Sequence, residues 1–426
     1  MDNDYAFEMA TSNIRFGKGV THEVGMDLAE LGLKRVMVLT DSNLSQLPPV
    51  KTVLASLSDQ NVDYSLYTNV RVEPTDSSIK DAIAFAGSEP FDGFVAVGGG
   101  STIDTAKAAN LYSAYPPDDF LDYVNAPIGK GVPIPGELKP LFAIPTTAGT
   151  GSETTGVAIF DFEEMHAKTG IAHRRLKPTL GIVDPENTRT LPALVAASTG
   201  LDVLTHAIES YTALPFNRRP RPQKPVLRPA YQGSNPVSDI WSLQAMRMVS
   251  QFLIRAVNDP DDEEARGMML IAASFAGIGF GNAGVTIPHG MSYPVSGMVR
   301  GYRPKDYPGD HPLVPHGMAV VLNAPAAFRY TASACPEKHL QAAEAIGADV
   351  SGAGLEDAGP ILADRVIYFM KNLNIPNGLS GIGFDRADIP DLVKGTLPQH
   401  RVIKLSPKPV GSSELTEIFN DAMTYW

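Results

Sequence analysis

A short apolar run that ends abruptly in glycine is the feature that most limits the possible folds. Residues 94–97 (FVAV) have the composition of a buried strand, and Gly98, Gly99, Gly100 and Ser101 follow directly. Residues 102–108 then have a helical pattern with Ser101 or Thr102 near the N-cap. Strand, glycine turn and helix in this order predict an α/β domain whose turn can approach an anion closely.

Further strands with the same character precede the middle of the chain. They are predicted at residues 35–40, 141–144 and 180–184, and a helical pattern covers residues 77–87. Such alternation of strands and helices is typical of a mostly parallel sheet.

The second half of the chain has a different texture, rich in alanine and methionine. Segments with helical periodicity cover residues 193–213, 236–258, 262–281 and 336–347. A chain of 426 residues exceeds the size of one hydrophobic core. We therefore expect two domains, an α/β domain over residues 1–190 and a helical domain over residues 191–426.

The composition argues against several kinds of partner. The formal net charge is -12, whereas nucleic acids and anionic membranes are bound by basic surfaces, so we expect neither. The single cysteine, Cys335, excludes an intrachain disulfide framework. The acidic start of the chain lacks the basic and apolar pattern of a secretory signal. We expect a cytoplasmic location, or the mitochondrial matrix for a processed eukaryotic chain.

Three segments suggest a dinucleotide site. The glycine turn at residues 98–101 lies where a helix N-terminus favours a pyrophosphate, although three glycines alone more often mark a tight turn. Asp41, after the strand at 35–40, could accept hydrogen bonds from ribose hydroxyls, which favours NAD over NADP, but it could equally cap a turn. The loop at 145–155 is dense in hydroxyls and glycines and could lie against the nucleotide, although such loops also occur without ligands.

One aspartate and three histidines form the sharpest pattern. Asp202 and His206 are four residues apart in an apolar segment, so a helix would bury both on one face. For this pair alone, a hydrogen-bonded structural role is the better interpretation. His289 and His316 each occur in the phrase Pro-His-Gly-Met, which could be mere punctuation or could leave room for a bulky ligand. One carboxylate and three imidazoles favour a site for a divalent metal ion.

Most of the other histidines lie in polar contexts and are interpreted as solvated. His311 is the exception, because it precedes His316 by five residues and could approach the site.

Taken together and in this order, these motifs resemble the iron-containing (group III) alcohol dehydrogenases over nearly the whole chain. Within that family, residues 161–162, 177–185, 230–236 and 275–284 are similar to the hydroxyacid–oxoacid transhydrogenases. The resemblance implies a Rossmann-like N-terminal domain with a parallel sheet and an all-α C-terminal domain. It also implies NAD as cofactor and an Fe2+ or Zn2+ ion bound by Asp202, His206, His289 and His316.

The resemblance also identifies residues that would contact the nucleotide. Lys168 matches the family lysine that touches it. We therefore expect the cofactor site to include Asp41, Gly98, Gly99, Gly100, Ser101, Asp104, Thr146, Thr147, Thr150, Ser152 and Lys168.

Tyr293 marks a departure from the family pattern. Many members carry a histidine four residues after the third metal ligand, often assigned to proton relay, and this chain has Tyr293 there. A phenol has an ordinary pKa of about 10 and is a poor base at neutral pH. We expect Tyr293 or water to complete proton transfer and His316 to take part in catalysis.

A proline-bounded basic segment at residues 214–236 supplies candidate ligands for a substrate carboxylate. Arginine recognises carboxylates through charge-assisted hydrogen bonds, and Arg219 and Arg228 are the preferred candidates. A solvated surface loop or a subunit contact is an equally good interpretation.

The sequence therefore predicts a metal-dependent oxidoreductase that moves hydride through NAD(H) between small hydroxy acids or alcohols and oxo acids or aldehydes. A transhydrogenase would pass hydride from 4-hydroxybutyrate to 2-oxoglutarate. An ordinary NAD-dependent alcohol dehydrogenase with exchangeable NAD is the alternative, and a lyase resembling dehydroquinate synthase is a remote one. We expect a homo-oligomer.

Overall fold

The structure is a computed structural model that describes residues 2–165, 167–307 and 312–426. The chain divides into two compact units, Ala10–Leu191 and a second unit made of Met1–Met9 with Pro192–Trp426. We call them the α/β unit and the helical unit, and each is described by itself.

A parallel sheet forms the centre of the α/β unit. Its strands are β1 (Asn13–Phe16), β2 (Arg35–Leu39), β3 (Asp63–Tyr67), β4 (Gly93–Gly98), β5 (Leu141–Pro145) and β8 (Leu180–Val183). They are hydrogen-bonded in the order β1-β8-β5-β4-β2-β3, and every neighbouring pair is parallel. The helices of this unit are α1 (Val24–Glu30), α2 (Pro48–Asp59), α3 (Asp76–Ser88) and α4 (Gly100–Ala114).

The continuous apolar runs of the strands are explained by burial on both faces of the sheet. Alternate residues of β4 enter opposite cores, with Phe94 and Ala96 on one face and Val95 and Val97 on the other. A parallel sheet covered by helices on both faces requires this pattern, because neither face meets water. The predicted fold class is thus confirmed for this half of the chain.

The strand order reverses direction next to β2. The chain runs from β2 to β3 on one side and then crosses to β4 on the other side of β2. In open α/β sheets, ligands bind at such a reversal, outside the carboxyl ends of the strands. Asp41 follows the end of β2 and Gly99 follows the end of β4, so the reversal lies between two predicted cofactor segments.

An antiparallel hairpin lies beside this sheet and was not predicted. It consists of β6 (Val157–Phe162) and β7 (Ala167–Ala172). Lys107 of α4 anchors it, since the fully buried ammonium group donates to the carbonyl of Val157 at 2.8 Å and to Ser152 Oγ at 2.6 Å. Asp104, one helical turn earlier, forms an ion pair with Lys107 at 3.4 Å.

The second half of the chain is helical, as its periodicity predicts. Its longer helices are α5 (Ala193–Thr212), α6 (Pro236–Asn258), α7 (Glu263–Ala283), α8 (Ile287–Met298), α12 (Ala358–Asn372), α11 (Pro336–Ala345) and α15 (Ser412–Asp421). Shorter ones are α9 (His316–Val321), α10 (Ala324–Thr331), α13 (Ile389–Thr396) and α14 (His400–Ile403). The predicted segments 193–213, 236–258, 262–281 and 336–347 correspond to α5, α6, α7 and α11.

The first residues of the chain pack with the helical unit, whereas the sequence places them in the first domain. Asp4 explains the difference, because its carboxylate accepts two hydrogen bonds from Arg228, at 3.0 and 3.1 Å. Its backbone N–H also donates to the carbonyl of Arg219 at 2.7 Å. We propose domain limits of Ala10–Leu191 for the first domain and the remaining residues for the second.

Among the described residues, no single helix has the length and apolar character needed to cross a membrane. The sharply bent pair formed by α7 and α8 meets those criteria only by length and composition.

The first prediction concerns the anchor of the hairpin. Replacing Lys107 by Met keeps the apolar stem but removes the buried cation beside Asp104. Removing one partner of a buried ion pair is strongly destabilising, so we expect a loss of about 3 kcal/mol in the free energy of unfolding. Urea unfolding followed by circular dichroism measures it. Lys51→Met, at an exposed position of α2, is the matched control, and equal losses in both variants would contradict the prediction.

Candidate metal and nucleotide sites

Helix α5 carries three buried ionisable side chains on one face. Asp202, His206 and Glu209 are exposed by 2, 4 and 0%, respectively. Residues separated by three, four or seven positions share a face of a helix. Because all three groups are buried, they must find partners within the protein interior.

Two further histidines meet this face. His289 lies in the first turn of α8, and His316 is the first residue of α9. The distances from the Asp202 carboxylate are 3.8 Å to Nδ1 of His206, 3.7 Å to Nε2 of His289 and 3.9 Å to Nε2 of His316. One ligand atom each of Asp202, His206 and His289 lies within 4.8 Å of the other two. The structure thus brings together all four residues that the sequence singled out.

Glu209 fixes the orientation of His289. Its Oε1 lies 2.6 Å from Nδ1 of His289, and its Oε2 accepts hydrogen bonds from the backbone N–H and hydroxyl of Thr286 at 2.6 and 3.2 Å. A proton on Nδ1 of His289 leaves Nε2, which faces Asp202, as the electron-pair donor. A carboxylate behind a ligating imidazole is a common support of metal sites.

Protonation of the imidazoles follows from burial and from these carboxylates. Burial, with smaller repulsion from His289 and His316, lowers the pKa of His206 well below its ordinary value. Burial also lowers the pKa of His289, but the carboxylates of Glu209 and Asp202 outweigh it and raise the pKa overall. His206 is therefore neutral at physiological pH, the form in which imidazole binds a metal.

The donor set fits a divalent iron or zinc ion. Around tetrahedral zinc, ligand atoms lie about 3.3–3.6 Å apart, since each is about 2.0–2.2 Å from the metal. The observed separations of 3.7–3.9 Å are close to this spacing. Nδ1 of His206 and Nε2 of His289 are buried and have no hydrogen-bond partner among the described residues. A cation would satisfy both atoms.

Gly317 explains how α9 reaches this position. A Cβ atom there would lie 2.1 Å from the carbonyl oxygen of Ser198 and 2.8 Å from Cβ of Asp202. The backbone N–H of Met318 donates to Ser198 Oγ at 3.1 Å. The space beside this glycine is therefore filled by α5, and the suggestion that the glycine leaves room for a bulky ligand is wrong. It allows two helices to pack closely.

Tyr293 lies one helical turn after His289 on α8. Its ring centre is 6.5 Å from that of His316, and its hydroxyl accepts a hydrogen bond from Arg401 at 3.5 Å. The tyrosine thus lies beside the predicted ligands, and its role in proton transfer stays a prediction.

The two arginines predicted to bind substrate already have partners within the chain. Arg228 is paired with Asp4, and Nη1 of Arg219 donates to the carbonyl of Tyr231 at 3.1 Å. These contacts weigh against Arg228 as a substrate ligand, because its guanidinium already holds a carboxylate. His311 lies outside the described residues.

In the α/β unit, the glycine turn and the 145–155 loop lie against each other at the carboxyl edge of the sheet. Gly98 and Pro145 are paired in register, and the backbone N–H of Thr146 donates to the carbonyl of Gly98 at 3.1 Å. A Cβ on Gly100 would lie 2.5 Å from Thr150. Predicted cofactor positions that stay partly exposed along this edge are Gly99, Ser101, Asp104, Thr147 and Thr150.

Several predicted cofactor residues also have structural contacts. Asp41 caps the turn after β2, with its carboxylate accepting hydrogen bonds from the backbone N–H groups of Asn43 and Leu44. The buried Ser152 hydroxyl joins Lys107 to Asp104. These contacts give the polar side chains hydrogen-bond partners within the protein. The binding of Asp41, Asp104 and Ser152 to a nucleotide stays a prediction.

Lys168 is held by two carboxylates. Its ammonium group lies 2.8 Å from Glu73 and 3.0 Å from Asp161. Desolvation lowers the pKa of this buried lysine, but the two carboxylates outweigh it and raise the pKa overall. Lys168 is therefore a permanent cation, and its contact with a nucleotide stays a prediction.

Two residues near Asp202 and the three histidines, Glu209 and Arg401, were not identified from the sequence. Glu209 could have been found, because it continues the buried polar face of α5. Arg401 is far from the other residues in sequence and has no local pattern to distinguish it.

Comparison with known proteins identifies the class of protein. A model described as iron-containing alcohol dehydrogenase matches residues 11–185, and one described as the C-terminal region of the Fe-containing alcohol dehydrogenase family matches residues 230–423. The chain belongs to the iron-containing alcohol dehydrogenase family and is an oxidoreductase, which confirms the family and the enzyme class predicted from its sequence.

The chain is similar to individual proteins of known sequence or structure. The chain is 60% identical over 421 residues to a mitochondrial hydroxyacid-oxoacid transhydrogenase of Bos taurus, a match that covers 99% of this chain and 90% of the relative. The solved alcohol dehydrogenase from Oenococcus oeni is 27% identical, covers 98% of this chain and 100% of its own, and has a TM-score of 0.85. A sulfoacetaldehyde reductase from Bifidobacterium kashiwanohense, solved with NAD+, is 25% identical, covers 99% of both chains and has a TM-score of 0.79.

The second prediction tests the close approach of α9 to α5. Gly317→Ala places a methyl group against the Ser198 carbonyl, and overpacking of this kind costs about 1–3 kcal/mol in the free energy of unfolding. Gly301→Ala is the control, because nothing lies within 4 Å of the added atom there. Thermal unfolding of both variants measures the difference. An unchanged melting temperature for Gly317→Ala would contradict the geometry.

Proposed function

We propose that this chain is a hydroxyacid–oxoacid transhydrogenase that uses NAD(H) and a divalent metal ion. The reaction passes a hydride from the carbinol carbon of 4-hydroxybutyrate to NAD+, which gives succinic semialdehyde. The resulting NADH then reduces the keto carbon of 2-oxoglutarate to a hydroxyl, and the nucleotide returns to NAD+. The observation that carries the proposal is the buried cluster of Asp202, His206 and His289, with His316 beside it. The identity of 60% to the bovine transhydrogenase supports the choice of substrates.

Asp202, His206, His289 and His316 would hold the metal ion, Fe2+ or Zn2+. When bound, it supplies Lewis acidity toward the oxygen of a hydroxyl or carbonyl group. His316 is the ligand with most exposure, since 25% of its side chain is accessible, whereas His206 and His289 are buried. The substrate oxygen would therefore approach from the side of His316.

The surrounding side chains keep these ligands in place. Glu209 holds His289 in one tautomer, so Nε2 faces the other ligands without rearrangement. Phe280 stacks on His206 with ring centres 3.9 Å apart and shields it from water. Preorganised ligands in a water-poor site strengthen electrostatic interactions with a reacting oxygen.

Tyr293 is the candidate for handling the hydroxyl proton. Its hydroxyl receives a hydrogen bond from Arg401, which leaves the phenolic proton available as a donor to a substrate oxygen or water. Loss of the substrate proton would pass through this phenol or through water.

The nucleotide would occupy the carboxyl edge of the sheet in the α/β unit. The reversal of strand order, the N-terminus of α4 and the adjacent 145–155 loop support this assignment. The capping carboxylate of Asp41 would disfavour a 2′-phosphate and so favour NAD. For the compartment we propose the cytosol or the mitochondrial matrix, the latter in keeping with the name of the bovine relative, and we propose that the enzyme acts as a homo-oligomer.

The third prediction concerns metal affinity. Glu209→Gln keeps the shape of the side chain but weakens its support of His289, and loss of such support typically costs about 10- to 100-fold in affinity. Competition between the protein and a chromophoric chelator for Zn2+ measures the dissociation constant. Glu344→Gln, at an exposed position of α11, is the matched control. Equal Zn2+ affinities of the two variants would show that Glu209 does not support metal binding.

The fourth prediction separates a transhydrogenase from an ordinary dehydrogenase. Purified, desalted protein is mixed with 4-hydroxybutyrate and 2-oxoglutarate without added NAD, and succinic semialdehyde is measured over many turnovers. We expect it to accumulate, because retained nucleotide is regenerated within each cycle. Omitting 2-oxoglutarate should limit the product to one equivalent of bound nucleotide. Activity that appears only with added NAD would identify a dehydrogenase with exchangeable cofactor.

A further inference from the structure

Arg401, an arginine beside Tyr293 and His316, has no acidic partner among the residues that the structure describes. Arg401 lies on α14, which packs against α8, since a Cβ on Gly290 would lie 2.7 Å from Ile403. Nη2 of Arg401 donates to the Tyr293 hydroxyl, and its guanidinium carbon lies 4.9 Å from the centre of the Tyr231 ring. Nη1 of Arg401 is buried and has no hydrogen-bond partner among the described residues.

Aromatic side chains connect this arginine to the histidine cluster from two sides. Tyr293 lies between Arg401 and His316. The ring centres of Tyr293 and His316 are 6.5 Å apart. Tyr231 lies 6.5 Å from Phe280, which stacks on the imidazole of α5. One aromatic side chain, Tyr293, therefore separates Arg401 from His316, and two, Tyr231 and Phe280, separate it from His206.

Two other cationic side chains, Lys404 and Arg219, lie near Arg401. Desolvation lowers the pKa of Lys404, and repulsion from Arg219 and Arg401 lowers it further. Arg219 is buried and donates to the carbonyl of Tyr231. In the part of the chain that the structure describes, Arg401, Arg219 and Lys404 form no ion pair with a carboxylate. Arg401 thus lies among further positive charges and has a buried donor that requires an acceptor.

We propose that Arg401 binds the distal carboxylate of the substrates. The proposal rests on the proposed function and adds how donor and acceptor are recognised in common. In 4-hydroxybutyrate two methylene groups separate the carbinol carbon from the carboxylate. In 2-oxoglutarate two methylene groups separate the keto carbon from the distal carboxylate. One guanidinium at a fixed distance from the reacting carbon therefore recognises both molecules.

The chemistry of the guanidinium suits this role. Arginine offers planar, paired donors that match a carboxylate and remain charged at every physiological pH. The free Nη1 of Arg401 supplies a donor, while Tyr293 and Tyr231 hold the group in one orientation. Arg219 and Lys404 add positive potential without closing the site by an ion pair.

The test compares an acid with its neutral isostere. Arg401→Gln and Arg401→Met are assayed, as metal-loaded enzyme with added NAD+, for oxidation of 4-hydroxybutyrate and of 4-hydroxybutanamide. We expect kcat/KM for the acid to fall about 10- to 100-fold, the effect of one lost charge-assisted interaction, with less than about a 3-fold change for the amide. Arg401→Lys should recover part of the preference for the acid. Arg255→Gln, which removes an exposed arginine of the same unit, should leave both substrates unaffected.

A binding measurement makes the test independent of turnover. Glutarate has the carboxylate spacing of 2-oxoglutarate but no reacting group, and calorimetry gives its dissociation constant for each variant. We expect weaker binding by about 10- to 100-fold in Arg401→Gln and no change in Arg255→Gln.

The outcomes separate this inference from the proposed function. Equal losses for acid and amide, or unchanged glutarate binding, would overturn the role of Arg401 even if the wild-type protein transhydrogenates. A selective loss for the acid would support it even if the wild type needs added NAD. Failure of both neutral variants to fold would assign Arg401 a structural role and also overturn the proposal.

Discussion

The burial of two carboxylates, Asp202 beside three imidazoles and Glu209 behind one of them, is the constraint on which the helical unit depends. A carboxylate taken out of water must be compensated by hydrogen bonds, protons or a cation. Glu209 is compensated by His289 and Thr286. Asp202 faces three imidazoles at distances that suit a shared divalent ion. The packing of α5, α8 and α9 is arranged around this requirement, and Gly317 supplies the close contact that it needs.

A buried charge is compensated by polar partners in the α/β unit as well. Lys107 is fully buried, and its ammonium group is surrounded by Ser152, Asp104 and the carbonyl of Val157. Since these partners belong to α4, the 145–155 loop and the hairpin, one cation joins three segments. The expected nucleotide-binding edge is therefore built on a buried polar network, which holds the loop against the glycine turn and limits its freedom to rearrange.

Arg401 differs from Lys107 because no carboxylate in the described part of the chain pairs with it. Arg228, in the same unit, is neutralised by Asp4 and ties the first residues of the chain to the helical unit. A guanidinium with a buried, unsatisfied donor is costly for a folded protein. Its position beside the histidines predicted to bind metal is explained if the missing acceptor is an external carboxylate. This view shifts substrate recognition from the basic loop predicted by the sequence to the short helix α14.

The sequence by itself determined the features that are encoded by neighbouring residues. Apolar runs predicted β2, β4, β5 and β8, helical periodicity predicted α5, α6, α7 and α11, and residue type identified Asp202 and the histidines as potential ligands. The more exposed strands β1 and β3 were not predicted. Only the tertiary structure decided which distant groups meet. The β6–β7 hairpin, the support of His289 by Glu209, the placement of the first nine residues and the position of Arg401 all depend on contacts between segments far apart in the chain. Local patterns reflect the repeat of a helix or strand, whereas these contacts are set by how the elements pack.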